Sequence, residues 1–120
     1  MNKINKPKAQ LPKGFKDSSE ENIDIRNQVI TIIRNECEKF GFKNIDTPAL
    51  EYTEALGKFL PDVDRPSGGV FSFQDEDDQW ISMRYDLTAP LARYVAENYQ
   101  FIPKPFKRYQ VGSVWRNEKP

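Results

Sequence analysis

The chain has 120 residues, and its 18 basic side chains are balanced by 18 acidic ones, a formal net charge of zero. That length holds one domain, and the balance removes any whole-molecule electrostatic case for nucleic acid or an anionic membrane. Histidine is absent and Cys37 is the single cysteine, so imidazole catalysis, an internal disulfide and a cysteine-built zinc site are excluded within these residues.

Residues 1–16 carry five lysines and no acid, broken by Pro7, Pro12 and Gly14. They predict a basic, mostly irregular arm, with a short ordered piece around Leu11–Phe15. The arm is read as a solvated leader, with a tether to RNA phosphates as the alternative. Its N-terminus shows neither the apolar core of a signal peptide nor the arginines of a transit peptide, so a cytoplasmic location is expected.

A helix over residues 19–40 follows. Ser18 and Glu21 have capping-box spacing, and Ile23, Val29, Ile30, Ile33, Cys37 and Phe40 recur at helical period as one apolar stripe. Gly41 is the expected left-handed stop, and Cys37 is expected to pack in a core. The longest aliphatic run, Val29–Ile33, is broken by Thr31 and falls far short of the roughly 20 apolar residues a membrane span needs.

Residues 42–50 read as extended. Pro48 lacks an N–H and therefore marks a sheet edge, a bulge or a subunit boundary. A short helix fits residues 53–59 and a loop fits 60–69. Residues 70–74 and 79–83 form a predicted antiparallel hairpin around the acidic turn Asp75–Asp78. Four acids in a row suggest a metal loop, but the carbonyl and glycine spacing of a calcium loop is missing, so a solvated turn is preferred and no metal ligand is assigned. Asp86 and Thr88 are cap-type residues before a helix over 86–97, with Pro90 in its first turn. Residues 107–115 read as a final strand. The order helix, strand, hairpin, helix, strand predicts an α+β fold, an antiparallel sheet flanked by helices.

No phosphate-binding glycine loop or nucleophile elbow is present. Four segments in order nevertheless form a pattern: Leu-Pro-Lys-Gly-Phe-Lys-Asp at 11–17, Gly-Phe-Lys-Asn-Ile-Asp-Thr-Pro-Ala-Leu-Glu at 41–51, Met-Arg-Tyr-Asp-Leu-Thr-Ala-Pro at 83–90, and Tyr-Gln-Val-Gly-Ser-Val-Trp-Arg-Asn-Glu at 109–118. Together they resemble the start of a histidyl-tRNA synthetase, a class II aminoacyl-tRNA synthetase, over residues 11–120. The resemblance implies that residues 17–120 are the N-terminal part of a class II catalytic domain, ending within motif 2. The helix and the strand ending at Pro48 look like motif 1, which implies a homodimer interface around Pro48. Asp86 would hold the α-ammonium of substrate histidine, and Thr88 would add a hydroxyl contact. Arg116 would be the catalytic clamp on the ATP α-phosphate and Glu118 would face the adenine, with Mg2+ accompanying ATP. The segment Arg84 to Thr88 looks like the part of the pocket that receives substrate histidine; taken without the resemblance, Arg84 at a strand end reads as an ordinary cation.

The implied activity of the parent is ligation of histidine to tRNA(His), with the 120 residues alone expected to be inactive. Motif 3, its ATP arginine and any anticodon-binding domain lie outside them. A non-catalytic synthetase paralogue acting as a regulatory or binding subunit is the alternative. One departure is the Tyr85-Asp86 pair where many bacterial members carry Pro-Glu; aspartate is a methylene shorter, so its ammonium contact must be closer or bridged by water. Without the family pattern, Asp86 and Thr88 read simply as helix caps.

Overall fold

The computed structural model describes residues 6–59 and 69–117. Within the basic arm, Pro12–Phe15 closes a tight turn. The Phe15 N–H donates to the Pro12 carbonyl at 3.1 Å, and Gly14 takes φ +85° at the third position, which a side chain would disfavour. Phe15 then rests against Phe71, ring centroids 6.2 Å apart. The expected ordered piece is thus present.

Helix α1 spans Glu20–Lys39. Its N-terminus corrects the expected capping box: Ser19, not Ser18, is the cap, and its Oγ accepts from the Asn22 N–H at 3.2 Å. The Ser19 side chain reaches the third residue on because its backbone is still extended, with ψ 157°. At the other end Gly41 has φ +83°. Its N–H donates to the Glu38 carbonyl and that of Phe42 to Cys37, the two bonds of a Schellman stop. No residue of α1 is buried. Ile23, Ile30 and Cys37, one line seven residues apart, are half-buried, whereas Val29, Ile33 and Phe40 are exposed. Cys37 therefore borders a core but is not inside one.

Strand β1 (Lys43–Asn44) is followed by an irregular stretch carrying Pro48, then β2 (Leu50–Tyr52) and a 3-10 turn over Thr53–Phe59. The hairpin is β3 (Ser72–Gln74) with β4 (Trp80–Met83), antiparallel as expected. Its acidic turn is organised by one carboxylate: Asp75 Oδ1 accepts from the N–H groups of Asp77 and Gln79, each at 2.9 Å. β2 joins the other side of β4, giving a three-stranded antiparallel sheet in the order β2-β4-β3. Helix α2 spans Thr88–Asn98, with Pro90 fully buried in its first turn.

The last strand corrects the expectation over 107–115. Only Arg108–Tyr109 forms a strand, β5, and it pairs parallel with β1 in a separate two-stranded sheet. Past β5 the backbone bonds of the ladder give way to side-chain contacts. Thr47 and Gln110 face each other through Thr47 Oγ1 and Gln110 Oε1 at 3.1 Å. Beyond them, the backbone carbonyls of Thr47 and Ser113 are both taken by Arg84.

The core is small. Leu56, Val70 and Pro90 are its buried apolar members among the described residues. Beside it Thr53, Ser82 and Ser72 form a hydroxyl chain centred on the fully buried Ser82, at 2.7 and 2.5 Å. The helix–sheet junction is electrostatic. Arg93 on α2 donates Nε and Nη2 to both oxygens of buried Glu51 on β2, the shortest contact 2.9 Å, and its Nη1 donates to Glu97. These bonds, the Glu51 pair foremost, hold the Arg93 guanidinium above its ordinary pKa against the opposing effect of burial.

Two outcomes are expected. Arg93→Ala leaves the buried Glu51 carboxylate uncompensated and lowers unfolding free energy by on the order of 2 kcal/mol, between the exposed and buried limits for ion pairs; denaturant titration checks it. Tyr109, whose hydroxyl donates to Glu38 Oε1 at 2.9 Å, is raised above its usual pKa by desolvation against α1 and then by Glu38. Neutral Tyr109 is the form the fold favours. Its stabilisation is complete below pH about 10 and is lost as pH rises through the raised value. The difference in tyrosine absorbance titration between the parent and Tyr109→Phe isolates this group, and Glu38→Gln should bring its midpoint down.

Candidate active site

β4 delivers the chain into the candidate site. Past Met83 the strand ends at Arg84, whose N–H donates to the Ala49 carbonyl at 2.9 Å and whose carbonyl accepts from Trp115 at 3.1 Å. The two residues that follow, Tyr85 and Asp86, lead into α2. Asp86 is half-buried, and its Oδ1 accepts from the Ala89 N–H at 3.0 Å. Leu87 holds the N-cap position of α2 and offers no side-chain bond; Asp86, one residue earlier, caps the first-turn Ala89 amide, and its negative charge sits at the positive helix end. Oδ2 accepts no hydrogen bond from the described residues. Thr88 begins α2 and is exposed.

Arg116 arrives from the other side of the same loop. Its Nε donates to the Tyr85 carbonyl at 3.3 Å, and its guanidinium carbon lies 4.5 Å from the Tyr85 ring centroid. Arg116 is exposed, so its guanidinium is held at one edge and open at the rest. The fold thus brings Arg116 to the residue adjoining Asp86, although the two stand 30 positions apart in sequence. Glu118 lies outside the described residues. Pro48 is exposed, in the irregular stretch between β1 and β2, between Thr47 and Ala49, whose carbonyls both accept from Arg84. An open groove of about 520 Å³ is lined by Pro48 with Glu51, Arg93 and Tyr94. None of Asp86, Thr88 and Arg116 lines it, and of its charged residues Glu51, Arg93 and Glu97 are already paired with one another.

Chemically, the loop offers a carboxylate with one uncommitted oxygen and a guanidinium with open donors. A carboxylate suits an ammonium, and a planar fork of donors suits a phosphate. Sequence reading missed the arginines that build the loop. Arg84 is buried, where, apart from the resemblance, its place at a strand end reads as an ordinary cation. Arg108 is pushed below its ordinary pKa by burial, with Asp46 opposing the shift; its Nη2 donates to the Leu87 carbonyl at 2.9 Å, and Nη1 to Ile45 and Gln110. Gly112 was the available signal, since a glycine within a strand-like run marks a close approach.

Among the described residues the fold is an α+β unit of two helices and two small sheets. The family model for histidyl-tRNA synthetase matches residues 14–120, and the chain belongs to that family. It is 58% identical over 118 residues to a histidine–tRNA ligase of Mesorhizobium japonicum and 56% identical to one of Brucella ovis. Each match covers 98% of the chain, which spans about a quarter (24%) of the length of these curated relatives. Among solved structures, a histidyl-tRNA synthetase from Nostoc sp. PCC 7120 superposes with TM-score 0.76 at 28% identity, over 92% of this chain and 26% of that one. A Bacillus halodurans protein described as an ATP phosphoribosyltransferase regulatory subunit/histidyl-tRNA synthetase superposes with TM-score 0.79 at 26% identity, over 95% and 30%.

Asp86 serves α2 whatever else it does. Asp86→Ala is expected to lower stability by about 1 kcal/mol, the usual worth of a cap, whereas Asp86→Asn keeps a good cap and costs much less. Thermal unfolding of the two variants side by side checks this.

Proposed function

We propose that the chain supplies part of the active site of a class II histidine–tRNA ligase: the loop that receives histidine and the arginine that receives the ATP α-phosphate. The observation that supports this reading is the contact of Arg116 with Tyr85, the residue next to Asp86. Asp86 Oδ1 stays on the Ala89 N–H, and Oδ2 takes the α-ammonium of histidine. Thr88, at the exposed helix start, adds a hydroxyl. The carboxylate of histidine is already ionised, so it attacks the α-phosphorus with no protein base, forming histidyl adenylate and expelling pyrophosphate. Negative charge grows on the α-phosphate oxygens, and Arg116 meets it with two donors. Glu118 facing the adenine belongs to the same reading.

Mg2+ belongs to this reading as the counter-ion of the ATP phosphates. No group of three or more Asp, Glu, Cys or His that could hold a metal stands among the described residues. These residues therefore offer it no ligand set, and no step here runs through it. tRNA(His) as acceptor, the homodimer around Pro48 and a cytoplasmic location complete the proposal. The exposed apolar residues of α1 support a partner on that face, and no helix among the described residues is long and apolar enough to cross a membrane. Ligase activity is favoured over a regulatory role because relatives at 56–58% identity are histidine–tRNA ligases. The 120 residues alone are proposed to be inactive, because a single exposed arginine held at one edge is not a preorganised site.

The test uses a histidine–tRNA ligase containing these residues and follows ATP–pyrophosphate exchange. Asp86→Asn, which preserves the cap, should weaken histidine use by on the order of 2–5 kcal/mol with little effect on the KM for ATP. Thr88→Val should cost roughly 0.5–1.5 kcal/mol. Unchanged histidine kinetics in Asp86→Asn would reduce Asp86 to a cap and refute the reading.

A further inference from the structure

Arg84 is a buried cation without a carboxylate. It is 7% exposed, and no acidic side chain among the described residues pairs with it. Its guanidinium is instead held by backbone: Nε donates to the Ser113 carbonyl at 2.7 Å and Nη1 to the Thr47 carbonyl at 3.0 Å. The Trp115 ring lies over it, 5.7 Å from centroid to Cζ. A buried charge is costly unless fully hydrogen-bonded, so carbonyls spent on Arg84 must be in fixed positions.

Its surroundings need such a fixture. Neither Tyr85–Leu87 nor residues 112–116 belongs to a strand, so no ladder sets their register. The crossing from one to the other is made by the Arg84 side chain on Ser113, by the Arg84 carbonyl on the Trp115 N–H, and by Arg116 itself on Tyr85. A third segment is tied to the same residue through Thr47 and Ala49. Gly112 shows how tightly the guanidinium is seated. A Cβ there would lie 2.5 Å from Nη2 and 3.3 Å from Cζ of Arg84. A free arginine tip would swing away, but this one can move only by giving up its two carbonyls.

We propose that Arg84 is a positioning residue for adenylate formation: its guanidinium holds the segment ending in Arg116 in register with the loop carrying Asp86, and Gly112 is the space it requires. This rests on the ligase reading above. Arg84 touches neither substrate in that reading. Its effect falls on the alignment of two groups that do, and a displacement of about 1 Å between reacting groups can cost on the order of 10²-fold in rate.

The experiment is ATP–pyrophosphate exchange by the full-length ligase containing these residues, with kcat expressed per titrated active site. Arg84→Met should lower kcat by on the order of 10²-fold while the KM values for histidine and ATP move less than threefold, because Asp86 and Arg116 are still present. Arg84→Lys, with a single donor head, should recover part of the loss. Gly112→Ala should lower kcat about tenfold in the parent and have almost no further effect in Arg84→Met, since the clash partner is gone. If Arg84→Met does not fold, the same comparison is made in Arg84→Lys, whose shorter reach also removes the clash. Unchanged kcat per active site, with only thermal stability lowered, would overturn the proposal. So would effects of Gly112→Ala and Arg84→Met that multiply independently. A parent without histidine-dependent exchange refutes the ligase reading instead, and a parent impaired by Asp86→Asn but not by the Arg84 variants refutes the positioning role alone.

Discussion

Two short sheets that share no strand drift apart unless something crosses between them, and here arginine guanidinium groups on backbone carbonyls cross together with the backbone bonds of Arg84 to Ala49 and Trp115. Arg84, past β4, reaches Thr47 and Ser113 beside the other sheet, and Arg108 on β5 reaches Leu87 at the start of α2. A guanidinium suits this work because its charge is permanent and its donors form a rigid fork that can address two segments at once. A lysine would offer one rotating head. Everything proposed about the site depends on these crossings. The Asp86 loop is fixed at one end by Arg84 and at the other by the Arg108 bond to Leu87.

Among the described residues, more polar than apolar side chains are buried. Buried apolar residues are few, whereas Thr47, Glu51, Thr53, Ser82 and Arg84 are all buried, and no buried side-chain polar atom among the described residues lacks a partner. Such networks specify geometry when every member is satisfied and fail sharply when one is removed. Meanwhile α1 leaves Val29, Ile32, Ile33 and Phe40 at 49–69% exposure. Water against that much aliphatic surface is unfavourable. The chain spans about a quarter of the length of its curated relatives, and a homodimer contact through this region is the arrangement proposed above.

Asp86 illustrates how one side chain serves structure and chemistry together. Its Oδ1 accepts from the first turn of α2, and its Oδ2 accepts nothing from the described residues. The cap fixes the carboxylate in place without neutralising it, so the charge is oriented before any ligand arrives. The methylene missing relative to glutamate keeps the carboxylate close to the backbone, which is where a cap must be.

Much of the architecture was legible in the amino-acid order. Periodicity and Gly41 set α1 within a residue at each end, and the two runs around Asp75–Asp78 declared a hairpin, because both signals depend on neighbours along the chain. The family pattern picked out Asp86, Thr88 and Arg116 before any contact was known. The capping choice between Ser18 and Ser19 was decided by backbone dihedrals, which adjacent serines do not reveal. The fate of residues 107–115 was decided in three dimensions. Their composition favours a strand, but the carbonyl of Ser113 belongs to an arginine 29 positions away. Local sequence could declare which segments extend and which coil; which backbone groups a buried guanidinium takes from a ladder is a property of the packed chain alone.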